Sequence, residues 1–249
     1  MSEEVTDTWL VGVVAHDDAL SSVRIHAGYL AVGPTSRRDH RILARIRFGD
    51  PAAPAFPDAE TSKILITREE ELIARLGGDA VLIAVLTVPA FRDLIFHTAE
   101  PERCRAVLEA ADDPDLDVDI AADPAWSMYR SLFTDAVPAD ADRRRIQDAA
   151  AAAGDSAPRG AVEHRFAFSG LAEADQAAAA LRDAGVEVTF VEADDAAAEA
   201  PPRFVIVETE TLTQIDMARS RDALGGFAVS WGGDYLGWDF IAPTSNPHP

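Results

Sequence analysis

From Val162 to Ile241 the chain alternates short apolar runs with glycine-stopped helical stretches, and this order constrains the fold more than any other feature. Val162, His164, Phe166 and Phe168 alternate with Glu163, Arg165 and Ala167, the period of a half-buried strand. Leu171–Ala184 is alanine-rich and is followed by Gly185, the residue that most often closes a helix. Val186–Val191 is β-prone, residues 192–202 form an acidic, alanine-rich loop with two prolines, and Phe204–Val207 is a compact apolar strand. Thr213–Leu224 is helical, and Gly225-Gly226 is predicted to stop it. Phe227–Trp231 is then the next strand, with a terminal strand through Trp238, Phe240 and Ile241 beside it. The order β-α-β-β-α-β predicts a ferredoxin-like domain over residues 139–249, an antiparallel sheet with its helices on one face.

The preceding residues have mixed character, so the fold class is α+β with two domains, 1–135 and 139–249. Thr8–Ala15, Arg24–Val32 and Ile42–Phe48 have strand character. Thr67 followed by Glu70 resembles a capping box, so a helix is predicted from there through Leu72, Ile73 and Leu76 to Gly77-Gly78. Val81–Val88 and Phe91–Thr98 are separated by Pro89-Ala90 and form a predicted hairpin. Pro101–Ala111 has helix composition, and Leu116, Val118 and Ile120 alternate with aspartates as in a one-sided strand. Asp123-Pro124 starts a short helix through Trp126, Tyr129 and Phe133. Asp135–Asp140, with Pro138, is the predicted break between the domains, and Asp142–Ala153 is a further helix.

Charge sets the class of partner. Against 22 basic residues stand 43 acidic ones, a formal net charge of −21 over 249 residues. Residues 1–135 hold 24 acids and 13 bases, residues 136–249 hold 19 and 9, so the acidity belongs to both halves. Such a charge repels phosphate backbones and anionic lipid, which argues against direct nucleic-acid or membrane binding and leaves basic protein surfaces as partners. The apolar runs fall short of the ~20 residues that a membrane helix needs. The acidic opening Met1-Ser2-Glu3-Glu4 differs from the basic start of a secretory signal, so a cytoplasmic location is expected.

Catalytic and metal signatures are sparse. The six histidines form no helical His-x-x-x-His pair, and Cys104 is the single cysteine, so neither a compact zinc motif nor a disulfide is expected. His16-Asp17-Asp18 could ligate a metal, but at the end of a predicted strand it is read as a solvated turn. Asp115, Asp117 and Asp119 lack the glycine and terminal glutamate of a calcium loop. Cys104 lies between Arg103 and Arg105, which would lower its thiol pKa, but it is read as a tolerated surface or half-buried cysteine. No Gly-x-Ser-x-Gly elbow, Walker loop or dinucleotide fingerprint follows a strand. No catalytic residue, cofactor or metal is assigned.

One constellation stands out near the end of the chain. Trp231, Asp234, Tyr235, Trp238 and Asp239 gather with Gly232, Gly233 and Gly237. Aromatic and acidic groups on a turn suit recognition of arginine-rich protein segments, while aromatic anchoring of the last strand is the alternative.

The same region carries a family resemblance. A helix (Asp142–Ala153), a loop to Gly160, Glu163-His164 on a strand, Gly185-Val186-Glu187-Val188, and Tyr235-Leu236-Gly237-Trp238 follow in order. Residues 139–242 thereby resemble the regulator of ribonuclease E activity B family, whose closing signature is Tyr-Asp-Gly-Trp; its Asp is Leu236 here. The resemblance implies a ferredoxin-like fold and binding to an endoribonuclease of the ribonuclease E type, with Glu163 and His164 joining Trp231, Asp234, Tyr235, Trp238 and Asp239 as partner-binding candidates. Residues 5–135 are similar to domain of unknown function 695 through Trp9, Arg92-Asp93 with Phe96, and Asp123-Pro124-x-Trp126-x-x-Tyr129. The expected function is that of a non-catalytic, acidic, protein-binding regulator of RNA turnover. Two alternatives remain: an enzyme with a site between the halves using His97, His164 and nearby carboxylates, and an immunity-like scaffold for another basic protein.

Overall fold

The computed structural model describes residues 7–16, 19–29, 38–50, 56–191 and 201–241, which fall into two compact units, the second comprising the described residues from Asp142 onward together with Ala15 and His16. The predicted ligand triplet His16-Asp17-Asp18 and the acidic loop of 192–200 lie outside this description, apart from the His16 backbone.

The first unit is built on a six-stranded sheet of order β1-β2-β4-β5-β3-β6, where β1 is Trp9–His16, β2 Ala19–His26, β3 His40–Arg47, β4 Ala80–Val88, β5 Phe91–Thr98 and β6 Leu116–Ala122. Both faces are covered. Leu65, Leu72 and Leu76 of α1 (Ala59–Leu76), with Cys104 and Leu108 of α2 (Pro101–Glu109), bury Ile42, Ala44, Ile46, Leu94 and Phe96. On the other side Trp126, Tyr129 and Ala136 cover Val23, Ile25, Ile83 and Ile95. Double coverage explains why Val81–Val88 is continuously apolar instead of alternating, as a strand with only one buried face does. A register shift between Leu82 and Ala84 puts Ile83 and Ala84 into the same cluster, as a bulge does.

The second unit is a four-stranded antiparallel sheet, β10-β7-β9-β8, comprising β7 (Arg159–Phe168), β8 (Val188–Val191), β9 (Arg203–Thr211) and β10 (Gly233–Ile241). Phe166, Phe168, Phe204 and Ile206 pack on Ala174, Ala177, Ala178 and Leu181 of α4 (Leu171–Asp183) and on Ala228 of α5 (Gln214–Ser230). Ile146 and Ala149, from the last turns of α3 (Ser127–Ala153), cover Val162 and Trp238. The alternation at Val162–Phe168 is therefore the inner face of β7.

Several expectations are corrected. Helix α1 starts eight residues before Thr67, because Asp58 caps it by accepting from the Thr61 N–H at 2.7 Å; Thr67 is interior. Trp126 has φ +54° and is not helical; the Asp123 carboxylate accepts from the N–H and Oγ of Ser127, where α3 begins. No break occurs at 135–140: α3 runs through Pro138, flanked by buried Ala136, Ala139 and Asp140, so packing outweighs the lost backbone bond. Gly225-Gly226 do not stop α5, which continues to Ser230 to bring Phe227 and Ala228 against the phenylalanine core. Phe227–Ser230 is therefore helix, the turn falls at Trp231-Gly232, where Gly232 has φ +70°, and the final strand begins at Gly233.

Candidate functional site

The aromatic segment near the C-terminus is β10, and its two faces have different roles. Its register pairs Trp238 with His164 and Asp239 with Glu163 on β7. Trp238 and His164 point inward, at 2% and 0% exposure. Tyr235 is half-buried, and its Oη lies 2.8 Å from Nδ1 of His164. Asp234 is exposed, while Glu163, Asp239 and Trp231 are half-exposed. Trp231 caps the C-terminus of α5 with its backbone N–H and packs on Phe227.

The Trp238 anchor depends on residues that the pattern alone did not single out. The indole N–H donates to Oδ1 of Asp142 at 2.8 Å, and Arg221 donates to Oδ2 through Nε at 3.1 Å and through its terminal nitrogen. Arg145 donates to the Trp238 carbonyl at 2.8 Å, with its guanidinium over the indole. Asp142 thus ties α3, α5 and β10 together. Burial raises its carboxyl pKa above the ordinary value, against the opposing pull of Arg221 and the indole N–H.

On the other face of β7, Arg165 sits between two candidates. Its Nε donates to Glu163 at 2.8 Å and its terminal nitrogen pairs with Asp239. The pairing with Glu163, led by the hydrogen bond, raises the Arg165 pKa. Gly237, with φ +107°, carries the bulge that separates Tyr235 from Trp238, so that both can turn inward despite their odd spacing.

The first unit has its own buried polar cluster. His97 is fully enclosed and stacks on Trp126, with ring centroids 4.2 Å apart. The Arg38 carbonyl accepts from Nε1 of Trp126 at 2.9 Å and lies 3.2 Å from Nδ1 of His97. Burial pushes the His97 pKa down. His97 belongs to the first unit and His164 to the second. Cys104 is fully buried, with Sγ 3.3 Å from Oγ1 of Thr98, and burial raises its thiol pKa. This overrides the flanking arginines expected to lower it.

Among the described residues, no three His, Cys, Asp or Glu side chains gather as a metal site would require, and no helix is long and apolar enough to cross a membrane. β10 has an aromatic, hydrogen-bonded inner face, with Asp234 and Asp239 on the other.

No curated protein matches the chain. Residues 139–240 match the family Regulator of ribonuclease activity B, the segment that contains Asp142, His164, Tyr235 and Trp238. Residues 7–133 match the family of unknown function DUF695, which spans the six-stranded sheet and Trp126, and the chain belongs to that family.

Proposed function

We propose that this chain is a non-catalytic, acidic regulator that binds an endoribonuclease of the ribonuclease E type and modulates its cleavage of RNA in the cytoplasm. The observation that carries the reading is the match of residues 139–240, the segment that contains Tyr235 and Trp238, to the regulator family. Two domains, 1–135 and 139–249, are part of the reading. The second is ferredoxin-like, which its β-α-β-β-α-β order supports, as does its sheet order with the last strand beside the first.

Among the partner-binding candidates, Asp234, Tyr235, Trp231, Glu163 and Asp239 reach the surface, and His164 and Trp238 hold them from beneath. A net charge of −21 draws the chain towards the basic surfaces that ribonucleases present to RNA. No cofactor or metal enters this reading.

The test is capture of a purified ribonuclease E-type enzyme on the immobilised chain, with RNA cleavage assayed in parallel. Binding that weakens as salt rises, together with slower cleavage, is the expected result. No capture at either low or high salt ends the reading.

A further inference from the structure

Among the described residues, helices cover one face of the second unit's sheet and none covers the other. The register turns Glu163 and Arg165 of β7, Val205 and Val207 of β9, and Asp239 and Ile241 of β10 to the open side. Val191, Val207, Leu236 and Ile241 are 49%, 48%, 51% and 42% exposed. A depression of about 440 Å³ lies among Val191, Val205 and Leu236, with Arg165 and Arg203 beside it. Apolar side chains gathered on one face of a sheet mark a surface that another body covers.

The charges on this face select the occupant. In a molecule of net charge −21, the face is balanced: Arg159, Arg165 and Arg203 stand against Glu163, Asp234 and Asp239. A partner of one charge sign pairs with only half of these groups, whereas a second copy presents the matching set. A two-fold axis crossing the sheet between the Arg165 and Glu163 rows, perpendicular to the strands, places each Arg165 opposite the other copy's Glu163. The same operation sets Val205 opposite Val207. The two sheets then run antiparallel and face to face, at the ~10 Å spacing and within the roughly 30° of aligned sheet packing.

We propose that the open face of the four-stranded sheet is a self-association surface, occupied by a second copy of this chain through Val205, Val207 and Leu236, with Arg165 and Glu163 exchanged across the axis. Glu163 and Asp239 are then shared between the second copy and the ribonuclease, so the two compete; this consequence alone rests on the ribonuclease reading.

Sedimentation equilibrium of the full chain, from micromolar to hundreds of micromolar and at low and high salt, tests the proposal. The expected result is a reversible dimer that tightens as salt screens the net charge, opposite in sign to ribonuclease capture. Val207→Asp weakens it by about tenfold or more, which is 1.4 kcal/mol or more, with an unchanged unfolding midpoint as the fold control. Glu163→Arg weakens the dimer, and adding Arg165→Glu restores it, because the reversed pair is again complementary across the axis. A monomer under all conditions, or a dimer indifferent to Val207→Asp, overturns the proposal. A monomeric wild type whose Val207→Asp variant loses ribonuclease capture also overturns it, and gives the face to that enzyme. Absence of ribonuclease capture leaves the dimer measurement standing, so the two readings fail separately.

Discussion

Nε2 of His97 lies 3.7 Å from Oδ2 of Asp123, and both atoms are buried without a hydrogen-bond partner among the described residues. Nδ1 faces the Arg38 carbonyl, an acceptor, so that nitrogen carries the proton of the neutral ring, and Nε2 turns a lone pair towards the carboxylate. Burial is the largest influence on His97 and keeps its pKa below 6.5, against the opposing pull of the Arg38 carbonyl and Asp123. For Asp123 burial raises the pKa, but the Ser127 hydrogen bonds and His97 together hold it below 3.8.

These directions give a pH dependence. As pH falls below 6.5 the unfolded chain protonates His97 before the folded one does, so this group removes stability from pH 6.5 down to its lower folded value. Asp123 acts further down, losing its contribution as pH falls through its depressed pKa. Thermal midpoints from pH 7.5 to pH 5 should decline less steeply in His97→Gln than in the wild type. Equal slopes would remove His97 as the cause.

Asp142 is a buried carboxylate shared by Arg221 and Trp238. Asp142→Ala leaves a half-buried guanidinium and a buried indole N–H without their acceptor, and urea unfolding should show a loss of about 3 kcal/mol. Asp142→Asn keeps one acceptor oxygen and should lose about half as much. If the two variants are equally stable, the ion pair and indole bond contribute little.

Gly12 on β1 faces α3 at a distance no side chain tolerates: a Cβ there meets the Cβ of Ala139 at 2.6 Å and its carbonyl carbon at 2.7 Å. Gly12→Ala should destabilise by about 1–3 kcal/mol through overpacking. Gly78→Ala, with nothing within 4 Å, should stay within about 1 kcal/mol of wild type and serves as the control.

The continuation of α5 through Gly225-Gly226 is testable at Gly226, which is exposed, helical and open to a Cβ. Gly226→Ala should stabilise by roughly 0.5–1 kcal/mol, the helix propensity difference. A helix stopped there with a left-handed cap would lose stability instead.

The Tyr235 hydroxyl is tied to His164 at 2.8 Å beneath the charged surface of β10. Tyr235→Phe should cost about 1 kcal/mol of stability in urea unfolding, the net value of one such bond. No change in stability would mean that the aromatic packing alone holds the strand.

The alternation of Val162–Phe168, the alanine-rich stretch before Gly185 and the apolar run of Val81–Val88 were legible because period and turn chemistry are local properties. So were the hairpin at Pro89-Ala90 and the unusual density of aromatic and acidic residues around Tyr235. What misled was punctuation. Pro138 and Gly225-Gly226 carry a local cost of about 1–3 kcal/mol each, and the sequence offers no sight of the buried neighbours that offset it. Asp142 was equally silent, since an acid on a helix surface and an acid enclosed by an indole and a guanidinium are written with the same letter. The sequence by itself determined the mixed α and β character, the alternation of Val162–Phe168, the charge, and which residue types gather near the C-terminus. Only the tertiary structure decided which side of β10 holds the core and which lies open, because one bulge at Gly237 sets the phase of Tyr235 and Trp238. Long-range packing, which no local pattern encodes, supplies the partners for both faces.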